Sequence, residues 1–333
     1  MNILYLSCHS SLEYDEIKLF RELGHDVFSL QGSYHNSNTP SDPKRPPIEG
    51  PVHQQLMDVA AQCSKDDIHP ELIEWADVIY IMHIGKWIVN NWSKMKHKVV
   101  VWRTIGQSVP QNENELGLFR VEGMKIVRYS PLESGIKGYL GSDAMIRFYK
   151  DPDVFGKWEG KDPSVMNVTQ SMKKRGLFCG YDIFNEVTAG LDRYVYGPGN
   201  DDIDYWGGEK PYEQLVEEYR KHRVYLYTGT YPASYTLNFI EAFMTGIPIV
   251  AIGDALAYLG IYDIHAYEVS QIIKNGVNGY VSEDKAELRG YLEKLLQDPE
   301  LAKKIGDAGR QTAIELFGKE NIKTLWKEFY DSI

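Results

Sequence analysis

The richest chemistry in this chain lies in one stretch, Tyr227 to Gly253, which reads YTGTYPASYTLNFIEAFMTGIPIVAIG. Ala233, Ser234, Tyr235 and Thr236 are small or polar and lead into a helical pattern beginning at Leu237. The first N–H groups of a helix have no partner inside it, and the dipole places partial positive charge there. The stretch therefore predicts an anion site suited to phosphate. Glu241 follows Leu237 by one turn and shares a face with Ile240 and Met244. A carboxylate on a buried face needs a partner. A ribose diol would serve, because two hydroxyls can donate to two carboxylate oxygens. A salt bridge or a solvated helix edge is the competing account.

Other candidates stand where apolar runs end. His9 follows ILYL and His83 follows ADVIYIM. An imidazole at such a place can bind a hydroxyl or take a proton; a satisfied structural histidine is the plainer alternative. Arg103, Thr104 and Gln107 follow KVVVW and could bind phosphate or a second substrate. Gly197-Pro198-Gly199 follows RYVY, and Lys173, Lys174 and Arg175 form a basic run in QSMKKRG. Asp201-Asp202-Ile203-Asp204 reads as a polar loop rather than a metal site. There is no Ser–His–Asp set and no paired carboxylate signature. No G-x-G-x-x-G follows a strand, which argues against a dinucleotide-dependent oxidoreductase. Neither a metal nor a cofactor is expected.

These residues need strands and helices to hold them. Asn2–Ser7, a helix from Glu13 stopped at Gly24, and Asp26–Leu30 make a βαβ start, which predicts a parallel sheet. Ala76–Met82 and Lys98–Trp102 are apolar throughout, as strands covered on both faces are. Lys125–Tyr129 is a weaker strand. The second half repeats the pattern with strands at Val165–Thr169, Arg193–Tyr196, Val224–Tyr227 and Ile249–Ile252. Helices are expected at Lys210–His222, up to Thr245, at Asp284–Gln297, after the Asp298-Pro299 cap, and at Glu320–Tyr330. The Pro-, Gly- and charge-rich run Asp151–Pro163 marks the boundary, giving domains 1–155 and 156–318. In parallel α/β sheets, ligands sit at the carboxyl ends of the strands, where every candidate above is found.

Composition narrows the classes. The chain has 333 residues, with 43% apolar and 25% charged, as ordinary globular proteins do. A net charge of −11 argues against nonspecific nucleic-acid binding. Three scattered cysteines, Cys8, Cys63 and Cys179, fit a reducing compartment. The first residues do not read as a signal peptide, and no apolar run approaches the ~18–20 residues of a membrane span. A cytoplasmic protein is expected, with peripheral membrane contact left open.

The run FIEAFMTGIPIVAIG resembles the donor-binding block of retaining GT-B glycosyltransferases, family four and its relatives (glycosyl transferases group 1). That block usually reads E-x7-E, its second Glu lying in LEAMA-x-G-x-P-V-V-A. The segment Asn275–Ile333, with NGVNGYVSED and LEKLLQDPELAKKIGDAGRQTAIELF, resembles the family's ending. The resemblance implies an α/β, GT-B fold: two Rossmann-like doubly wound domains facing across a cleft, with the helix 319–333 packing back on the first. It implies transfer of a hexose, UDP-glucose being the first donor and a GDP-sugar the other. The acceptor would be a hydroxyl of a glycan, a lipid-linked sugar or a small molecule.

The resemblance also assigns roles. Glu241 would hold the donor ribose. Backbone amides of Ser234, Tyr235, Thr236 and Leu237 would hold the diphosphate, with Lys173 and Arg175 as cationic partners and Gly197 in the donor set. The first Glu position is Ala233 here, a departure that bears on the sugar. The first domain would supply acceptor contacts from His9, His83, Arg103 and Thr104, with Trp87 and the loop Gln31–Pro51 as a wall. His83, His9 and Arg175 are the candidates for catalysis. An epimerase of the same fold, or a nucleotide-sugar- or carbohydrate-binding protein without turnover, are the rival readings.

Overall fold

The structure is a computed structural model that describes residues 1–30, 48, 50, 51, 53–64 and 66–333. The chain divides into two compact units, residues 1–148 with 322–333, and residues 149–321. The first crossing falls at 148/149 rather than 155/156, because the segment after it is held in unit 2. Arg310 donates there to the carbonyls of Pro152 (2.8 Å) and Phe155 (2.7 Å).

Unit 1 carries six parallel strands: β1 (Asn2–Leu6), β2 (Asp26–Ser29), β3 (Val78–Met82), β4 (Val99–Arg103), β5 (Lys125–Arg128) and β6 (Ala144–Met145). Their order is β2-β1-β3-β4-β5-β6. All five residues of β3 are buried, as the unbroken apolar run predicts for an inner parallel strand. One face packs Leu4, Ile79, Ile81 and Trp102 against Trp87, Ile88 and Trp92 of the helix Gly85–Met95. The other is aromatic. Tyr5 and Tyr80 stack at 4.6 Å, and Phe20 meets Trp326 and Tyr330 of the last helix edge-on at 4.9 and 5.3 Å. That helix, Lys319–Asp331, belongs to unit 1 from Ile322 onward.

Two charged side chains, Glu16 and Arg103, are buried in this aromatic layer. Both phenols donate to Glu16 Oε2, Tyr5 at 2.7 Å and Tyr80 at 2.6 Å, while Arg103 Nε donates to Glu16 Oε1 at 3.0 Å. Arg103 also donates to the carbonyls of Ile146 (2.6 Å) and Arg128 (3.2 Å) and lies over the Trp326 ring.

Unit 2 carries the other six strands: β7 (Asp162–Val168), β8 (Arg193–Tyr196), β9 (Trp206–Gly208), β10 (His222–Tyr227), β11 (Ile249–Ile252) and β12 (Tyr280–Ser282). They are parallel in the order β12-β11-β10-β7-β8-β9. Val165, Val224, Leu226, Val250 and Ile252 form the core with Met172, Leu288, Leu292 and Ile305. The helix Pro299–Phe317 lies hard against the end of the helix Leu237–Thr245. A Cβ on Gly306 would stand 2.0 Å from the Gly246 carbonyl oxygen, so only glycine permits that approach. Gly246, at φ 89°, stops the Leu237–Thr245 helix in the left-handed conformation.

Glu16→Ala should therefore remove the carboxylate that faces the buried Arg103 charge in the aromatic layer. We expect unit 1 to lose about 3–5 kcal/mol, read as a lower urea midpoint. Glu16→Leu combined with Arg103→Met should recover most of it.

Candidate functional site

The carboxyl end of β10 feeds the loop 228–236 and then the helix Leu237–Thr245. The loop is fixed by its neighbours. Thr228 Oγ1 donates to the Cys179 carbonyl (2.6 Å), Tyr231 N to the Phe178 carbonyl (2.9 Å), and the Ser234 carbonyl accepts from Glu268 N (3.0 Å). Ser234 and Tyr235 are buried, and Leu237 is half-buried. Thr236 is the N-cap residue, but its side chain makes no cap bond; its hydroxyl lies against Asn238 Oδ1 and is 3.1 Å from Tyr227 Oη. Asn238, in the first turn, donates to the Val168 carbonyl at the end of β7. The helix start is thus pinned to two strand ends, while no N-cap side chain closes it.

Glu241, one turn further, is 7% exposed. Its Oε1 lies 2.8 Å from Lys150 Nζ, and its Oε2 accepts from the Tyr219 hydroxyl at 3.3 Å. Both partners are buried. Burial and the Glu241 charge raise the Tyr219 phenol well above its ordinary value, so it stays a donor. The partner required by this buried carboxylate is therefore present inside the unit. Of the two accounts open for this carboxylate, the salt bridge is present in the fold. Sequence reading missed Lys150 because it lies 91 positions away, beyond any helical periodicity.

The basic run sits after β7. Asn200 is fully buried; its Nδ2 donates to the carbonyls of Thr169 (2.6 Å) and Gly197 (3.1 Å), and its Oδ1 accepts from Met172 N (2.6 Å). This side chain ties the loop after β7 to the loop after β8. Gly197, at φ 118°, leaves a Cβ only 3.0 Å from the Thr169 carbonyl oxygen. Lys173 turns onto Asp202, 3.0 Å from its carbonyl and 3.6 Å from its carboxylate. Among the described residues, Lys174 and Arg175 are exposed and make no ion pair. No cluster of three or more metal-ligating side chains occurs among the described residues.

In unit 1, His83 follows β3 with φ 55°, a left-handed backbone that costs an ordinary L-residue about 1–2 kcal/mol. Its ring lies 5.5 Å from that of Trp102. Burial pushes the imidazole down to about 4, and Nδ1 is buried with no hydrogen-bond partner among the described residues. A strained, neutral histidine with an unpaired nitrogen at a strand end has the character of a binding residue. His9 instead caps the helix Ser10–Glu22, its Nδ1 accepting from Leu12 N at 3.4 Å.

Arg103 and Thr104 are corrected. Arg103 is fully buried on Glu16, and Thr104 donates to Glu133 Oε2 at 2.8 Å and accepts from Tyr129 N at 3.1 Å. Neither side chain reaches solvent. Trp87 is likewise core, and the loop Gln31–Pro51 falls almost wholly outside the described residues.

Residues 199–312 match the family model of glycosyl transferases group 1. This segment of about a third of the chain runs from the β8 loop through Glu241 to the long helix, and it supports a group 1 glycosyltransferase. The fold is also similar to that of a sucrose-phosphate synthase from Thermosynechococcus elongatus, at 14% identity and a TM-score of 0.68, covering 100% of this chain and 98% of that one. It is similar to Anabaena HepE in complex with UDP-glucose, at 14% and 0.67, covering 100% of both chains. A glycosyltransferase from Rickettsia africae gives 14% and 0.70, covering 99% of this chain and 98% of that one. At such identities the likeness establishes the fold, α/β of the GT-B kind. No curated protein matches the sequence.

His83 also sets a pH dependence. Its folded value near 4 lies below the ordinary 6.5, so the unfolded chain holds the proton more tightly. Its contribution to stability is complete above about pH 6.5 and is lost as pH falls towards 4, by roughly 3 kcal/mol. His83→Asn, which tolerates the left-handed backbone, should flatten a profile of urea midpoint against pH between 4 and 7.

Proposed function

We propose that this chain is a retaining glycosyltransferase that moves a hexose, glucose first, from a UDP-sugar to a hydroxyl of a glycan, a lipid-linked sugar or a small molecule. The reaction needs no metal and takes place in the cytoplasm. The observation that carries the reading is the start of the helix Leu237–Thr245. Its N-cap side chain makes no bond to the first amides of the helix, Glu241 stands one turn inside it, and both lie within the segment that matches group 1 glycosyltransferases. The similar fold of HepE, whose structure contains UDP-glucose, supports the choice of donor.

In this reading, the amides of Ser234, Tyr235, Thr236 and Leu237 take the diphosphate. Arg175, exposed and free of any described ion pair, faces the charge that develops as the bond from the sugar to the diphosphate breaks. Lys173 contributes once released from Asp202, and Gly197 keeps the neighbouring loop close enough to complete the donor site. The acceptor hydroxyl attacks on the face the diphosphate leaves, and its proton passes to the departing diphosphate oxygen. His83, neutral at pH 7, offers a hydrogen bond to a sugar hydroxyl. His9, already engaged as a helix cap, plays at most a secondary part.

One observation favours a second reading. The first Glu position of the block is Ala233, which is buried and apolar. A nucleotide-sugar-binding protein without turnover would tolerate that change.

An assay for UDP release from UDP-glucose, run with an acceptor panel, separates the two. Transfer, or slow hydrolysis in its absence, is expected; binding without either selects the second reading. Glu241→Gln should weaken UDP-glucose binding by ~10–100-fold, since a hydrogen bond to a charged group contributes ~1.5–3 kcal/mol. Unchanged binding in a thermal-shift titration would remove Glu241 from the site.

A further inference from the structure

We infer that Lys150 is a positioning residue for the donor: it fixes the Glu241 carboxylate so that the two acceptor sites left on it meet the 2′- and 3′-hydroxyls of a nucleotide ribose. The inference rests on the proposed role of Glu241. An ionised carboxylate offers about four lone-pair sites. Lys150 takes one on Oε1 and the Tyr219 hydroxyl takes one on Oε2. The Glu241 side chain is 9% exposed, whereas that of Lys150 is 1% exposed.

Lys150 is held at its other end too. Its backbone N–H donates to the Phe317 carbonyl at 3.0 Å, it bridges to Gly318, and the following Asp151 pairs with Lys319 at 3.5 Å. Its ammonium lies 5.8 Å from the centre of the Phe155 ring. A long, flexible side chain clamped in this way loses its rotamer freedom before any ligand arrives. The carboxylate it grips is then preorganised, which lowers the entropy cost of binding. Arginine could reproduce the charge; a neutral side chain could not.

The test uses the full chain and calorimetric titration with UDP and with 2′,3′-dideoxy-UDP, which keeps the diphosphate and the base. Wild type should bind UDP at least tenfold more tightly than the dideoxy analogue. Lys150→Met should abolish that preference, weakening UDP about tenfold while leaving the analogue unchanged. Lys150→Arg should restore most of it. The double variant Lys150→Met/Glu241→Gln, which leaves no unpaired buried charge and so guards against misfolding, should be no weaker for UDP than either single change. If Glu241→Gln erases the preference but Lys150→Met keeps it, or if Lys150→Met weakens both ligands alike, the positioning role is overturned and the reading of Glu241 stands. If wild type does not distinguish the two ligands, or binds neither, the Glu241 reading itself fails and takes this inference with it.

Discussion

All strands in both sheets run parallel, and that single constraint shapes everything functional in this chain. A parallel strand must be followed by a crossover that returns the chain to the same edge. Each crossover leaves the sheet at the carboxyl end, so those loops gather along one edge of each unit. Sharp turns are found there: His83 adopts a left-handed conformation directly after β3, Ser171 does so in the loop after β7, and Gly197 and Gly229 have positive φ after β8 and β10. In each of these places a strand stops and the chain must turn within a few residues. The interior strands, being covered on both faces, have no freedom to carry chemistry.

The second theme is charge inside these units. Glu16 with Arg103, Glu113 with Arg128, and Glu241 with Lys150 are buried pairs. The Arg128 guanidinium grips Glu113 with both terminal nitrogens and lies 4.5 Å from the Tyr139 ring centre, a fork that ties β5 to the helix before it. Removing either member of such a pair strands a charge away from water, so each is far more sensitive to single than to double substitution. Two of the pairs are purely architectural. The third differs in its place, beside the unclosed start of a helix within the segment that matches group 1 glycosyltransferases. A buried carboxylate thus says little until its counter-charge and its surroundings are both known.

Local signals in the sequence were sufficient for the main elements, because period and punctuation are local properties. The apolar runs of β1, β3, β4, β10 and β11, the stop at Gly24, the helix end at Thr245 and the Asp298-Pro299 start could all be read directly. The short edge strands β6, β9 and β12 are not, since two or three residues carry no periodicity and form only against a neighbour. The helix Gly85–Met95 was also passed over, its pattern beginning straight after His83 without an N-cap side chain.

What the sequence determined by itself was the α/β class, the places where the main strands end, and the helix start at Leu237. What only the tertiary structure decided was which of those residues are spoken for. Arg103 and Thr104 were indistinguishable from ligand-binding residues until the fold sealed them onto Glu16 and Glu133. Lys150 was invisible until the chain brought it 2.8 Å from Glu241. The reason is physical: helix and strand periods act over a few residues, whereas the pairing of buried charges is settled by packing between segments that sequence distance does not relate.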